Sequence, residues 1–273
     1  MATPNEYVLG HSAGELERLR RQAQLLNPIT RQYLIEAGIA PGMRVLDVGS
    51  GLGDVAFLAA ELVGPSGHVV GVDRSPDALI LARSRAKEQS LANVTFVESE
   101  LTATAFDQHF DAAIGRFVLC HQPDPVAFLR KISRLVRPGG IVVFQESDNK
   151  QRRSYPPIPT YDVMSEWIDE TLRRTGVDVR MGIKLYSTFL AARLAEPTMR
   201  LQAVIGGAKA LDEAHFEADL AVTLGAVMEE TGVATADELD ADSLVDRIVQ
   251  EMIANQSVII GRAVIGAWTR LPE

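Results

Sequence analysis

One stretch, Val45-Leu46-Asp47-Val48-Gly49-Ser50-Gly51-Leu52-Gly53-Asp54, restricts the fold more than any other part of the chain. Its apolar start reads as a buried strand, its three alternate glycines as a tight turn, and the apolar run that follows as a helix over residues 53–63. A strand that enters a glycine turn and leaves as a helix opens an α/β unit whose ligand sits at the strand's carboxyl end. The pattern then repeats. Strands are expected over residues 44–48, 68–72, 94–97, 110–115 and 141–145, with helices over 75–90 and 125–136 between them. Ser75 followed by Pro76 is a helix start. Ala40-Pro41-Gly42, Gly64-Pro65-Ser66-Gly67 and Arg137-Pro138-Gly139-Gly140 are turns. Five strands alternating with helices predict a doubly wound, mostly parallel sheet covered on both faces.

The flanks differ. Apolar residues at helical spacing predict a helix over 12–26, a break at Asn27-Pro28, and a second helix through Ile35. Residues 147–159 are polar and rich in proline and arginine, which reads as a loop. Helices are expected around Tyr161–Leu172 and over 183–194, 215–230 and 244–255, with β structure over 199–206 and 257–269. The organisation expected is an N-terminal helical cap segment over 1–40, a ligand-binding α/β core over 41–146, an inserted cap or substrate wall over 147–196, and a C-terminal completion of the sheet over 197–273.

The residues around the turn select the ligand. A dinucleotide site wants Gly-x-Gly-x-x-Gly so that backbone approaches a pyrophosphate. Here the third glycine position is Asp54, and Asp47 sets a second carboxylate beside the turn. Two acids would repel a pyrophosphate. They suit a ligand that carries ammonium and sulfonium groups and no phosphate, as S-adenosylmethionine does. A net charge of −9 argues against nucleic acid as the main partner. The single cysteine, Cys120, excludes an intrachain disulfide and a cysteine-cluster metal site, so no metal is expected, and it fits a reducing compartment. The first residues lack a basic stretch followed by an apolar core, and no apolar run spans a bilayer. A soluble cytoplasmic protein with no membrane partner is the expectation.

Several segments together resemble the class I S-adenosylmethionine-dependent methyltransferase family, of the bacterial small-molecule type. They are Asp47–Gly53, Gly71-Val72-Asp73-Arg74-Ser75, the strand-three segment ending Glu98-Ser99-Glu100, Phe110–Ile114 followed by Arg116-Phe117-Val118-Leu119, and Arg134–Gly140. Their order and spacing match over residues 41–146. The resemblance implies a seven-stranded Rossmann-like sheet with a helical cap, S-adenosyl-L-methionine as cofactor, and methyl transfer to a small-molecule acceptor. It implies cofactor contacts from Asp47, Gly49, Ser50, Gly51 and Gly53, with Asp47 near the ammonium end of the methionine. Asp73 would accept from the ribose hydroxyls, Arg74 would border it as a further cofactor contact, and Ser99, Glu100 and Leu101 would meet the adenine. Glu100 stands where the family more often has Asp. Gly115 and Arg116 would line the crevice from the fourth strand. Tyr7-Val8-Leu9-Gly10-His11 and the helix carrying Gln22 resemble N-terminal segments that fold over the cofactor, which makes Tyr7 and Gln22 candidates too.

Methyl transfer from a sulfonium rests mainly on alignment in a dry pocket, with a general base needed only for some acceptors. His121 follows strand four at the ligand edge and is the base candidate, although a histidine at this loop position also serves structure. His68 and His109 fall at the opposite edge, His215 begins a late helix, and Cys120 reads as a buried thiol. Tyr155, Tyr161, Met164, Trp167 and Tyr186 either wall an acceptor pocket or simply pack. Arg152 and Arg153 either meet an acidic substrate or are solvated. Two further readings stay open: a protein that uses the cofactor as a scaffold, for cyclisation or binding alone, and a nicotinamide-dependent oxidoreductase.

Overall fold

The computed structural model describes residues 13–100, 106, 108–208 and 211–273. Along the chain, α1 (Ala13–Ala37) precedes β1 (Arg44–Val48), α2 (Asp54–Val63), β2 (His68–Asp73), α3 (Pro76–Glu88), β3 (Val94–Glu98), β4 (Phe110–Arg116), α4 (Pro125–Ser133) and β5 (Val136–Asp148). Then come β6 (Arg153–Tyr155), α5 (Pro159–Arg174), α6 (Met181–Ala191), β7 (Thr198–Gln202), β8 (Ile205–Gly206) and α7 (Asp212–Glu230). The chain closes with α8 (Ala236–Leu239), α9 (Leu244–Asn255), β9 (Val258–Ile260) and β10 (Ala263–Arg270).

Two compact units share these elements. The first comprises Leu26–Ser147, Arg180–Gln202 and Val264–Glu273. It holds a seven-stranded sheet in the order β3-β2-β1-β4-β5-β10-β7. Strands β3, β2, β1, β4 and β5 pair in parallel, and β10 pairs with β7 antiparallel. Val45, Leu46, Val69, Val72, Ala112, Ala113, Ile141 and Val142 are all buried in these strands. Runs of apolar residues without alternation mark a parallel sheet covered on both faces. The helices start where expected: Ser75 Oγ accepts the Ala78 N–H at 3.3 Å to cap α3, and Asp124 Oδ1 accepts the Ala127 N–H at 2.8 Å to cap α4.

The second unit takes the chain through Leu25, Asp148–Val179 and Ala203–Ala263. Its core is helical. Tyr161, Met164, Ile168 and Leu172 of α5 pack with Ala218, Ala221 and Leu224 of α7 and Leu244, Ile248 and Met252 of α9. A small antiparallel sheet, β6-β9-β8, lies in the same unit. The division therefore runs through residues 147–196: α5 belongs with α7 and α9, while α6 belongs with the seven-stranded sheet.

Several local expectations change. Pro28 does not break the first helix; α1 runs through it. Proline forfeits one backbone hydrogen bond in a helix interior. Packing outweighs that loss: Ile29, Tyr33, Leu34 and Ala37 are buried, the Tyr33 hydroxyl donates to the Val264 carbonyl at 2.9 Å, and the Tyr33 ring lies where a side chain on Gly266 would be. Arg137–Gly140 is a bulge within β5, where the register with β4 shifts between Phe110 and Ala112. The stretch over 199–206 divides into β7 and β8, which join different sheets, and 257–269 divides likewise into β9 and β10. The polar segment after β5 contains β6. No described helix is long and apolar enough to cross a membrane.

Candidate functional site

The glycine turn is built by backbone geometry. Gly49, Gly51 and Gly53 all have positive φ, of 65°, 50° and 88°. Only glycine adopts such angles without strain. A Cβ on Gly53 would lie 2.7 Å from the Phe57 ring, and one on Gly49 would lie 2.9 Å from Val118 Cγ2. Gly51 is different: nothing lies within 4 Å of the position its Cβ would take. The turn is thus closed by packing at both ends and open in the middle.

Asp73 holds the turn from the end of β2. Its Oδ2 accepts the Gly51 N–H at 2.8 Å and its Oδ1 accepts the Ser75 N–H at 2.9 Å. Each carboxylate oxygen keeps a further lone pair for another donor. The Ser99 N–H donates to the Asp73 carbonyl at 3.0 Å, which brings the end of β3 alongside. Glu100 is exposed there, and Arg74 is exposed beside Asp73.

Sheet register sorts the remaining residues. Asp47 pairs with Gly71 and Ile114, and Arg116 pairs with Gln145. Side chains alternate along strands. Asp47, Asp73, Arg116 and Gln145 therefore occupy one face at the carboxyl ends, while Glu146 occupies the other. Asp47 is 1% exposed, and its Oδ2 has no hydrogen-bond partner. Burial pushes its pKa up to about 8, against the attraction of Arg116 and with repulsion from Asp73. Ser50 Oγ and both amide atoms of Gln145 are likewise buried without partners. Arg116 donates through Nη1 to Asn27 Oδ1 and Thr30 Oγ1, both at 3.0 Å, tying β4 to the second half of α1.

The acid at the third glycine position is otherwise engaged. Asp54 pairs with Arg85 at 2.7 Å, while its charge still reaches Asp47 and Arg116. Of the two acids, Asp47 is the one buried with an oxygen that has no partner.

His121 lies at the end of a short 3₁₀ turn, Leu119–His121, after β4. The ring is at the surface, yet surrounding protein and the nearby Arg74 charge hold its pKa down to about 4. It is neutral at pH 7 and a weak base. His68 contacts Thr95 Oγ1 at 3.1 Å, and His215, in the helical unit, contacts the Leu211 carbonyl at 3.0 Å.

Several other expected site residues are packed or paired within their own units. Tyr161 and Met164 are fully buried core, whereas Tyr155 is 73% exposed. Tyr186 belongs to the sheet-bearing unit, where its hydroxyl reaches Glu196 at 3.1 Å. Arg152 is neither solvated nor open to substrate: it is buried, with Nη1 2.7 Å from Glu217 and Nη2 2.7 Å from Asp169. Arg262 completes this cluster at 2.7 Å from Glu217. Gln22 is half-buried in α1. Tyr7, His11 and Leu101 lie outside the described residues.

Two residues of the site escaped the sequence reading. Gln145 and Glu146 are buried polar residues that directly follow the apolar run Ile141–Phe144. Polar groups at the end of an otherwise apolar central strand were the available signal.

A parallel sheet with a glycine turn and a buried acid at its carboxyl edge defines a Rossmann-like ligand-binding protein. The chain belongs to the family described as a methyltransferase domain, which matches residues 39–175, about half of its length. It is 35% identical over 125 residues to the demethylmenaquinone methyltransferase of Lactococcus lactis subsp. lactis (strain IL1403), a match covering 45% of this chain and 47% of that protein. The chain spans about half the length of the curated relatives it matches. Among solved structures it resembles the [4+2]-cyclase SpnF, with TM-score 0.52 and 20% identity over 90% of this chain and 81% of that one. It also resembles an N-methyltransferase of Haemonchus contortus solved with phosphomonomethylethanolamine and S-adenosylhomocysteine. There the TM-score is 0.56 and the identity 20%, over 90% of this chain and 53% of that one. At such identities the likeness is one of fold.

Proposed function

We propose that this chain binds S-adenosylmethionine at the glycine turn and transfers its methyl group to a small-molecule acceptor. One observation carries the reading: a buried carboxylate, Asp47, has an oxygen with no partner beside an open glycine turn. A buried, unpartnered carboxylate is costly, and a cationic ligand group relieves that cost. An α-ammonium fits this requirement and a pyrophosphate does not, which sets the nicotinamide alternative aside.

When bound, the cofactor supplies a methyl group on a sulfonium, open to in-line displacement by the acceptor. Asp47 holds the ammonium end of the methionine moiety. Gly49, Ser50, Gly51 and Gly53 give it backbone access, with the Ser50 hydroxyl as a further polar contact. Asp73 accepts from the ribose hydroxyls with the lone pairs its backbone donors leave free, and Arg74 borders it. Ser99, Glu100 and Leu101 meet the adenine edge. Gly115 and Arg116 line the methionine side. His121 is neutral and takes a proton only from an acceptor group of low pKa, so alignment supplies most of the acceleration. The net charge of −9 favours a small molecule over nucleic acid. The single cysteine suits a reducing compartment, and we assign the protein to the cytoplasm.

Incubation with methyl-labelled S-adenosylmethionine and an acceptor panel tests this. The panel should include demethylmenaquinone and arsenite, the acceptors that relatives' names specify. Label in the product is the expected result. A product formed without label would overturn methyl transfer in favour of the scaffold reading. Binding of dinucleotides but not S-adenosylhomocysteine would overturn both.

A further inference from the structure

We propose that Glu146 is a positioning residue of the cofactor site, gripping the turn after β4 so that Val118 closes one end of the glycine turn. The inference rests on the cofactor reading above and adds a residue from the opposite face of the sheet.

The geometry forms a chain of contacts. Glu146 is 0% exposed at the end of β5. Its Oε1 accepts two successive backbone donors, the Val118 N–H at 2.9 Å and the Leu119 N–H at 2.7 Å. The preceding residue is held as well, since the Phe117 N–H donates to the Gln145 carbonyl at 2.9 Å. Three consecutive amides are thus fixed by two consecutive residues of β5. The first of the three, Phe117, has φ of 56°, an angle that is strained for an aromatic residue. Such strain persists only where surrounding contacts over-determine it. Its effect is to turn the chain sharply after Arg116, and Val118 then lies against Gly49, with Cγ2 at 2.9 Å from where a Cβ would stand.

The electrostatics agree. Burial pushes the Glu146 pKa up to about 7, while the Leu119 and Val118 amides and the Cys120 thiol and amide favour its charged form. A carboxylate that satisfies several amides at the start of a short helical turn acts as that turn's cap. This also gives Cys120 a role, as a buried donor beside Glu146 rather than a nucleophile.

Glu146→Gln keeps an acceptor oxygen, and Glu146→Ala removes it. The readout is the Kd for S-adenosylhomocysteine by calorimetry, well below each variant's melting temperature. Glu146→Ala is expected to raise the Kd at least tenfold, with Glu146→Gln within about threefold of the parent. Leu185→Ala in α6, a buried core truncation, should lower the melting temperature and leave the Kd unchanged. Equal Kd values for the parent and Glu146→Ala would overturn the inference, as would an equal rise in Leu185→Ala. Should Glu146→Ala fail to fold, Val118→Ala tests the same contact, and an unchanged Kd there overturns it. A parent that binds no S-adenosylhomocysteine defeats the cofactor reading instead. In that case amide exchange at Val118 and Leu119 still judges the grip: protection supports it, and exchange at the rate of exposed amides refutes it.

Discussion

Asp47 makes cofactor binding a proton-releasing reaction. With its pKa raised to about 8, the carboxyl of the free protein is mostly protonated at neutral pH. An ammonium placed against it favours the charged form, so binding expels the proton. At pH 7 a group of pKa about 8 is ~90% protonated, which predicts release of about 0.9 proton per ligand bound. Deprotonation at that pH costs ~1.4 kcal/mol, so affinity should rise about ninefold from pH 6 to 7 and level off above about 8. Calorimetry of S-adenosylhomocysteine binding in two buffers of different ionisation enthalpy measures the released proton directly. Asp47→Asn should abolish the release, flatten the pH profile and weaken binding, because the amide carries no charge for the ammonium. A parent affinity that is flat over this range, with less than about 0.2 proton released, would falsify the role given to Asp47. Release that persists in Asp47→Asn would assign the proton to another group, and the reasoning from burial would fail in the same way.

Four further outcomes are expected. Asp73→Ala removes the acceptor of the Gly51 and Ser75 amides as well as the ribose partner; losing charged hydrogen bonds worth ~1.5–3 kcal/mol each should weaken S-adenosylhomocysteine binding more than tenfold by calorimetry. Gly53→Ala sets a Cβ 2.7 Å from the Phe57 ring at a φ of 88°, so denaturant titration should show a loss of about 1–3 kcal/mol. Glu217→Ala leaves Arg152 and Arg262 without their shared partner, and breaking a buried cluster of this kind should cost ~3–5 kcal/mol in the same assay. Unfolding stability without ligand should fall as pH rises from about 6.5 to 8, because Asp47, Glu146 and Glu213 have folded pKa values raised to about 8, 7 and 8. Their unfolded counterparts ionise near pH 4, so the folded state holds more protons in that window and loses stability as they leave. A melting temperature that climbs between those pH values contradicts this.

The glycine turn, the acids at 47 and 73 and the alternation of strands and helices were legible because each is local. A positive φ demands glycine at the position itself, and a buried parallel strand demands an unbroken apolar run. Helix starts at Ser75 and Asp124 announce themselves through their own side chains. The family resemblance over residues 41–146 drew on the same local features, and the family match over 39–175 agrees with it.

What the linear chain did not disclose depends on partners far away in sequence. Pro28 looks like a helix breaker until Tyr33 is seen to dock on Gly266 and Val264. Arg152 looks like a solvated loop residue until Asp169 and Glu217 surround it. Asp54 and Asp47 look alike beside the turn, but Arg85 pairs with one, and burial leaves an oxygen of the other without a partner. Glu146 reads as the polar end of a strand until its carboxylate is found on the amides of Val118 and Leu119. Conformational preference belongs to a residue and its immediate neighbours, so it is written in the chain order. Charge state, burial and the matching of donors to acceptors belong to pairs that only folding brings together, and those pairs decide which acids of the glycine turn remain available to a ligand.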